Sequence, residues 1–522
     1  MNSPSNVAIL RSLVIYAICV PLAIFVGYTV TNPMDYSTLG LLGIVTLLLI
    51  LPLLLRWHHP ILVFSWNMTF TLFFIKGAPN LWLAMVVLSL AISLVERALN
   101  SQAHFIRVPQ ITWPLLCLAA VVLMTAKLTG GFGLRALGSE VYGGKKYVFL
   151  LAGILSYFAL TSRRIPPERA GLYVALFFLG GITYMISDLF AVTPSWAHFI
   201  FWFFPPTGAS FNEFDVGQNR LGDFGIAGVM LWCFVMARYG IRGIFLSGKL
   251  WRLIIFILPL IMVFLGGFRG EMITVGLMFV VQFFLEGLHR TKLMPLFVWL
   301  GIIAAVTVIP LASKLPLTFQ RTLAFLPLHL DSRVKADAQD SLDWRVNMWK
   351  ALLPQVPQHL LLGKGLAISP EEFNEMMGVG LVLGTAAANF DPSQNPLALS
   401  YDYHSGPLSV ILPFGIWGAI TFLWFLAASL RAMYRNFRYG DPSLQAINLF
   451  LFVNYLVSVF AFIFIWGALN IDIAKFVGLL GLSIAINNGV CRPVPQPVPT
   501  GETFLHPRGA LPGSRPRPVF TR

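Results

Sequence analysis

The stretch Tyr401-Asp-Tyr-His404-Ser-Gly-Pro-Leu-Ser-Val-Ile-Leu-Pro-Phe-Gly415-Ile-Trp-Gly418 marks where a long hydrophilic segment gives way to an apolar run. Behind it, from about Ser313, lie Asp331, Arg333, Arg345, Lys350, Glu371, Glu372 and Asp402 among other charges. Ahead of it the sequence runs without a charge as far as Leu430. A run of that length crosses ~30 Å of hydrocarbon as a helix. The pattern repeats along the chain of 522 residues, which is 57% hydrophobic and 11% charged. Soluble domains carry roughly a quarter charged residues. So few charges cannot cover a water-facing surface of this size, and lipid is the solvent for most of the chain. The apolar runs are continuous rather than alternating, which predicts helices and not a barrel.

The predicted fold is all-α and polytopic, with about fourteen spans. They lie near residues 12–30, 37–55, 61–75, 80–96, 111–128, 146–161 and 170–191, then 221–238, 250–267, 270–288, 293–312, 405–430, 444–467 and 471–488. Residues 1–199 form an N-terminal set of helices and 200–430 a core that includes the loop 313–404. Residues 431–489 form a C-terminal set. The Pro- and Arg-rich tail 490–522 cannot bury enough apolar area to fold. Arg11 followed by an apolar run with no small-residue cleavage site predicts an uncleaved first span.

The net charge of +14 reads as topogenic. No basic patch on a soluble surface is visible, which argues against a nucleic-acid partner. The four cysteines have no metal-ligand spacing, and neither disulfide nor zinc site is expected. With the N-terminus in the cytoplasm, Arg97, Arg107, Arg163, Arg164, Arg242, Arg252, Arg290, Arg431 and their neighbours fall inside. Inside segments then hold roughly threefold more Lys and Arg than short outside loops. The long loop, the Gly-rich loop 129–144, the loop 192–220, Arg269 and His404 all fall on the outer face. That face lacks ATP in a bacterial envelope, so bond formation there needs a pre-activated substrate.

His404 is the first candidate. An imidazole at a membrane edge is often only a packed interfacial residue. Here Ser405-Gly406-Pro407 open a helix whose positive end suits an anion. Nearby cations would hold the ring neutral and able to accept a proton. Arg269, after Gly266-Gly267-Phe268, stands at the junction of two spans, where a charge is costly. Its structural alternative is an ion pair with Glu271 or Asp223. Arg345 lies in Asp340-Ser-Leu-Asp343-Trp344-Arg345-Val-Asn-Met-Trp349, read as an interfacial amphipathic helix capped by Asp340. Its guanidinium fork suits phosphate oxygens. Arg220 opens the span at 221 and alone reads as a snorkelling end residue. Glu213-Phe-Asp215 is too common a pattern to assign a metal, and no cofactor motif is present. The glycines of 129–144 lack nucleotide-loop spacing and read as a flexible turn.

Taken together, these residues resemble the O-antigen ligase and O-antigen polymerase family. His404-Ser405, nine residues and then Gly415-Ile-Trp-Gly418 is similar to its His, small polar residue and G-x-x-G pattern. Phe268-Arg269-Gly270 resembles its arginine-glycine step, and Arg345 to Trp349 followed by Gly363-Lys-Gly365 its R-x-x-x-W and G-x-G. Where the family has N-P-N, this chain reads Gly217-Gln-Asn-Arg220. The resemblance covers roughly 200–430. It implies an inverting, metal-independent membrane glycosyltransferase with no cofactor. The donor would be a glycan on undecaprenyl pyrophosphate, and the acceptor a glycan or lipid A-core hydroxyl on the periplasmic face of the inner membrane. His404 would be the base, and Arg269, Arg345 and Arg220 would hold the pyrophosphate. Ligase and polymerase share these residues. A flippase of lipid-linked sugars is the rival, with Lys127 and Asp188 as the features that would favour it. A non-catalytic assembly protein is a third reading.

Overall fold

The computed structural model describes residues 19–21, 23–25, 27, 36–75, 77–100, 102, 104–133, 141–206, 221–374 and 401–493. Helices dominate, and among the described residues extended pairing is limited to the isolated bridges Thr71–Asn80 and Tyr142–Ile368. Nine helices among the described residues are long and apolar enough to cross a membrane. The chain is thus a multi-pass membrane protein. The expectation of fourteen separate spans is corrected in one place. Helix α1 (Tyr36–Ser65) runs through Pro52 and Pro60 and takes in most of 37–55 and the start of 61–75. Residues 66–75 are not helical; Leu72 N donates to Pro79 O and Leu81 N to Phe70 O in a turn. Of the first expected span, 12–30, only short helical pieces between 19 and 27 are described.

The other helices follow the predicted runs closely. They are α2 (Leu81–Leu99), α3 (Pro109–Leu128), α4 (Gly144–Leu160), α5 (Pro167–Leu179) and α6 (Tyr184–Ala191). A 3-10 turn at Gly180–Thr183 splits the run at 170–191 into α5 and α6. Next come α7 (Gly222–Phe245), α8 (Leu250–Gly266), α9 (Arg269–Leu285), α10 (Leu293–Leu311) and the short α11 (Leu317–Thr322). Helix α12 (Ser332–Leu352) is the amphipathic one, followed after 401 by α13 (Gly406–Tyr439), α14 (Gln445–Phe464) and α15 (Leu469–Asn487). In lipid no hydrophobic force drives helices together, so close approach through small residues does. A Cβ on Gly225 of α7 would stand 2.8 Å from the Cα of Gly266 of α8, and one on Gly153 of α4 2.7 Å from Ile473 of α15.

The helix ends meet in two groups. At one end the start of α15 meets the start of α13, where Leu469 N donates to Ser409 Oγ at 3.0 Å. There too α11 lies over the α8–α9 turn, with Thr322 Oγ1 donating to Phe264 O at 3.2 Å. At the other end Ile165 N donates to Ala485 O, and Ile106 N to Thr161 O. The first end carries His404, Arg269 and Arg345.

Candidate active site

Helix α12 begins at Ser332, not near Asp340. Asp331 is the cap, its carboxylate accepting from Arg333 N at 2.9 Å. An exposed polar sequence offers several aspartates, and the earliest one caps. Asp340 therefore lies inside the helix. Trp344 and Met348 share one face of the helix, and Arg345 and Trp349 the next, as four-residue spacing requires. Trp349 Nε1 donates to Tyr403 O at 2.8 Å, which ties α12 to the chain just before His404.

His404 is held between two indoles. Its ring centroid lies 5.3 Å from Trp344 and 6.0 Å from Trp466, both edge-to-face at 80°. Trp466 comes from the turn between α14 and α15, far away in sequence. That turn is pressed against the start of α13, since a Cβ on Gly467 would stand 2.8 Å from the Cα of Gly406. His404 itself adopts φ +48° and Tyr401 φ +60°. A left-handed non-glycine residue costs ~1–2 kcal/mol, so the surrounding contacts impose this backbone.

Nε2 of His404 lies 3.7 Å from Asp402 Oδ1, and among the described residues Nδ1 has no hydrogen-bond partner. Burial is the main reason the ring's pKa falls below the ordinary 6.5; Arg345 pushes the same way and Asp402 opposes. The ring is thus neutral at pH 7. Arg345 Nε is buried without a hydrogen bond among the described residues. Burial, and then the charge of Arg269, lowers the Arg345 pKa, but a guanidinium remains a cation. Arg269 Nη1 reaches Ala338 O of α12 at 3.4 Å. The two arginines and the histidine are therefore close enough for charge to couple one to the next. Arg220 lies outside the described residues, as do Glu213 and Asp215.

The glycine patterns have a packing role. Helix α13 breaks at Gly415 (φ +62°, ψ −161°), just after Pro413. The loop 360–365 fills the break: Lys364 N donates to Leu412 O at 2.8 Å, Gly365 N to Pro413 O at 2.9 Å, and Ile416 N to Leu360 O at 2.7 Å. A broken helix in lipid leaves backbone groups that must be paired, and this loop pairs them. Gly363, at φ +76°, is required because a Cβ would stand 2.2 Å from Pro413 O. The loop 129–144 is likewise packed where it is described. Tyr142 and Ile368 exchange backbone bonds, and the Tyr142 ring stacks on Phe373 at 3.8 Å. The reading of that loop as a flexible turn is corrected for 129–133 and 141–144; residues 134–140 lie outside the described set. The described part of 192–220 packs elsewhere, with Thr71 N donating to Phe203 O.

Some neighbours had no signal in the local sequence. Lys146 and Lys364 stand over the Tyr401 ring, 5.7 and 5.6 Å from its centroid. Asp188 is buried in α6 and accepts from Phe224 N at 2.8 Å. No group of three or more metal-ligating side chains occurs among the described residues.

No curated protein matches the chain. Residues 254–423 match the family model described as O-antigen ligase, a span from early α8 through α12 into α13 that takes in Arg269, Arg345 and His404. The match covers about a third of the chain and supports membership of the O-antigen ligase family for the region that holds these three residues.

Proposed function

We propose that the protein is a membrane glycosyltransferase that moves a glycan from a polyprenyl pyrophosphate to an acceptor hydroxyl on the outer face of the bacterial inner membrane. The observation that carries this reading is a neutral, indole-clamped His404 beside Arg345, whose Nε is buried and unmatched among the described residues and which feels the charge of Arg269. Asp402 favours a proton on the near nitrogen of His404 and leaves the other lone pair vacant. That lone pair takes the proton of the acceptor hydroxyl as its oxygen attacks the anomeric carbon. The glycosyl–phosphate bond breaks, and its electron pair leaves with the pyrophosphate. Two fixed guanidiniums in a partly dry site stabilise the charge that grows there. The donor is already activated, so the step uses no ATP.

The residues this reading uses, His404, Arg345 and Arg269, lie at one bundle end. This favours an enzyme over a flippase, which needs polar groups through the midplane. Ligation and polymerisation remain the two forms of the reaction. The test is a deletion strain complemented with wild type or His404→Ala, read as surface glycans on a gel. Loss of all long glycan from lipid A indicates a ligase, and a single repeat left attached indicates a polymerase. Wild-type banding with His404→Ala would refute the proposal.

A further inference from the structure

The bundle end opposite His404 contains a second cationic site. A cavity of about 470 Å³ lies between the end of α2, the residues Asn100, His104 and Phe105, and the turn after α4. Arg97, Arg163, Arg164 and His104 line it, with Ser93 and Ser162 buried at its base. The two hydroxyls are joined at 2.9 Å. One carboxylate, Glu96, faces the three guanidiniums, and Arg163 pairs with it. Arg97 lies over the Phe105 ring, 5.6 Å from its centroid. Among the described residues neither Arg97 nor Arg164 has a carboxylate partner.

The flank of the cavity decides between a soluble anion and a lipid. Leu94, Val95 and Leu99 of α2 are 54%, 57% and 85% exposed; Leu94 lies about one turn before Arg97, and Leu99 lines the cavity with it. A soluble phosphate gains nothing from that apolar edge. A phospholipid fits both parts, with its headgroup among guanidiniums and its chains along the helix. We infer that this cavity binds the phosphate headgroup of an anionic phospholipid, with its acyl chains lying on Leu94, Val95 and Leu99.

The test uses the full-length protein in nanodiscs of phosphatidylcholine with or without phosphatidylglycerol. Bound lipid is counted by native mass spectrometry, and thermal melts are recorded alongside. The wild type is expected to retain phosphatidylglycerol and to melt higher in its presence. The paired change Arg97→Gln and Arg164→Gln removes charge but not the Arg163–Glu96 pair. It is expected to weaken retention on the order of tenfold and to abolish the thermal shift. The paired lysine change is expected to keep most of both. Leu99→Gln, on a side chain 85% exposed, is expected to weaken retention without lowering the melt in phosphatidylcholine. Equal retention and equal thermal shift in the wild type and the glutamine pair would overturn the inference. So would saturable binding of inorganic phosphate at the cavity with no preference for phosphatidylglycerol.

Discussion

The two ends of the bundle handle their polar groups differently. Away from His404, two clusters of polar side chains close on one another. Asn448 and Asn487 exchange amide hydrogen bonds at 2.9 and 2.7 Å, and Asn436 donates to Ser483 Oγ and accepts from Cys491 N. Glu286 takes the amides of Ile241 and Arg242, where α7 is broken at Gly240. At the His404 end, Arg345 Nε, His404 Nδ1 and Asp402 Oδ1 are buried and unmatched among the described residues. Burying a polar group without a partner costs ~1–3 kcal/mol. The asparagine cluster and Glu286 therefore fasten helices together, whereas the His404 cluster holds groups ready for something that is not protein.

The largest expected effect on this contrast comes from His404→Ala. Removing a general base lowers transfer by ~10²–10⁴-fold. Detergent gel filtration should show an unchanged fold, and a purified transfer assay should show the loss. Arg269→Ala is next, with a loss of ~10²–10³ in kcat if the guanidinium stabilises the leaving diphosphate. If only KM rises, Arg269 holds the donor equally in ground and transition states. Asn448→Leu probes the other end. It removes the Asn448 hydrogen bonds to Asn487 and to the Asn436 carbonyl and should cost ~1–3 kcal/mol, seen as a lower melting temperature. Turnover per folded molecule should be unchanged. A fall in turnover would mean that the two ends are not separable.

How much of this was legible in the sequence depends on what lipid does to patterns. Membrane class, helix positions and the candidates His404, Arg269 and Arg345 were readable, because charge in an oily chain stands out. The Asp331 cap was missed, since several aspartates were equivalent in a polar stretch. Trp466 was missed for a different reason. Lipid and protein core are both apolar, so a hydropathy pattern does not tell an indole facing lipid from one against a histidine. The glycines of Gly363-Lys364-Gly365 entered only as the G-x-G of the family resemblance, and their part in filling the break at Gly415 was not read from the sequence. Pro413 beside Gly415 was a usable sign of that break.

The smallest expected effect is that of Asp402→Asn. The Asp402 carboxylate raises the His404 pKa, so its loss moves the acid limb of the rate profile to lower pH. The most direct test of the central claim is the same profile in Arg345→Gln. In the wild type kcat/KM rises with pH as the imidazole loses its proton, with a midpoint below the ordinary 6.5. Arg345 lowers that pKa, so removing its charge must move the midpoint to higher pH, whatever happens to the rate itself. An acid limb that stays in place or moves to lower pH would contradict a neutral histidine base set beside the arginine.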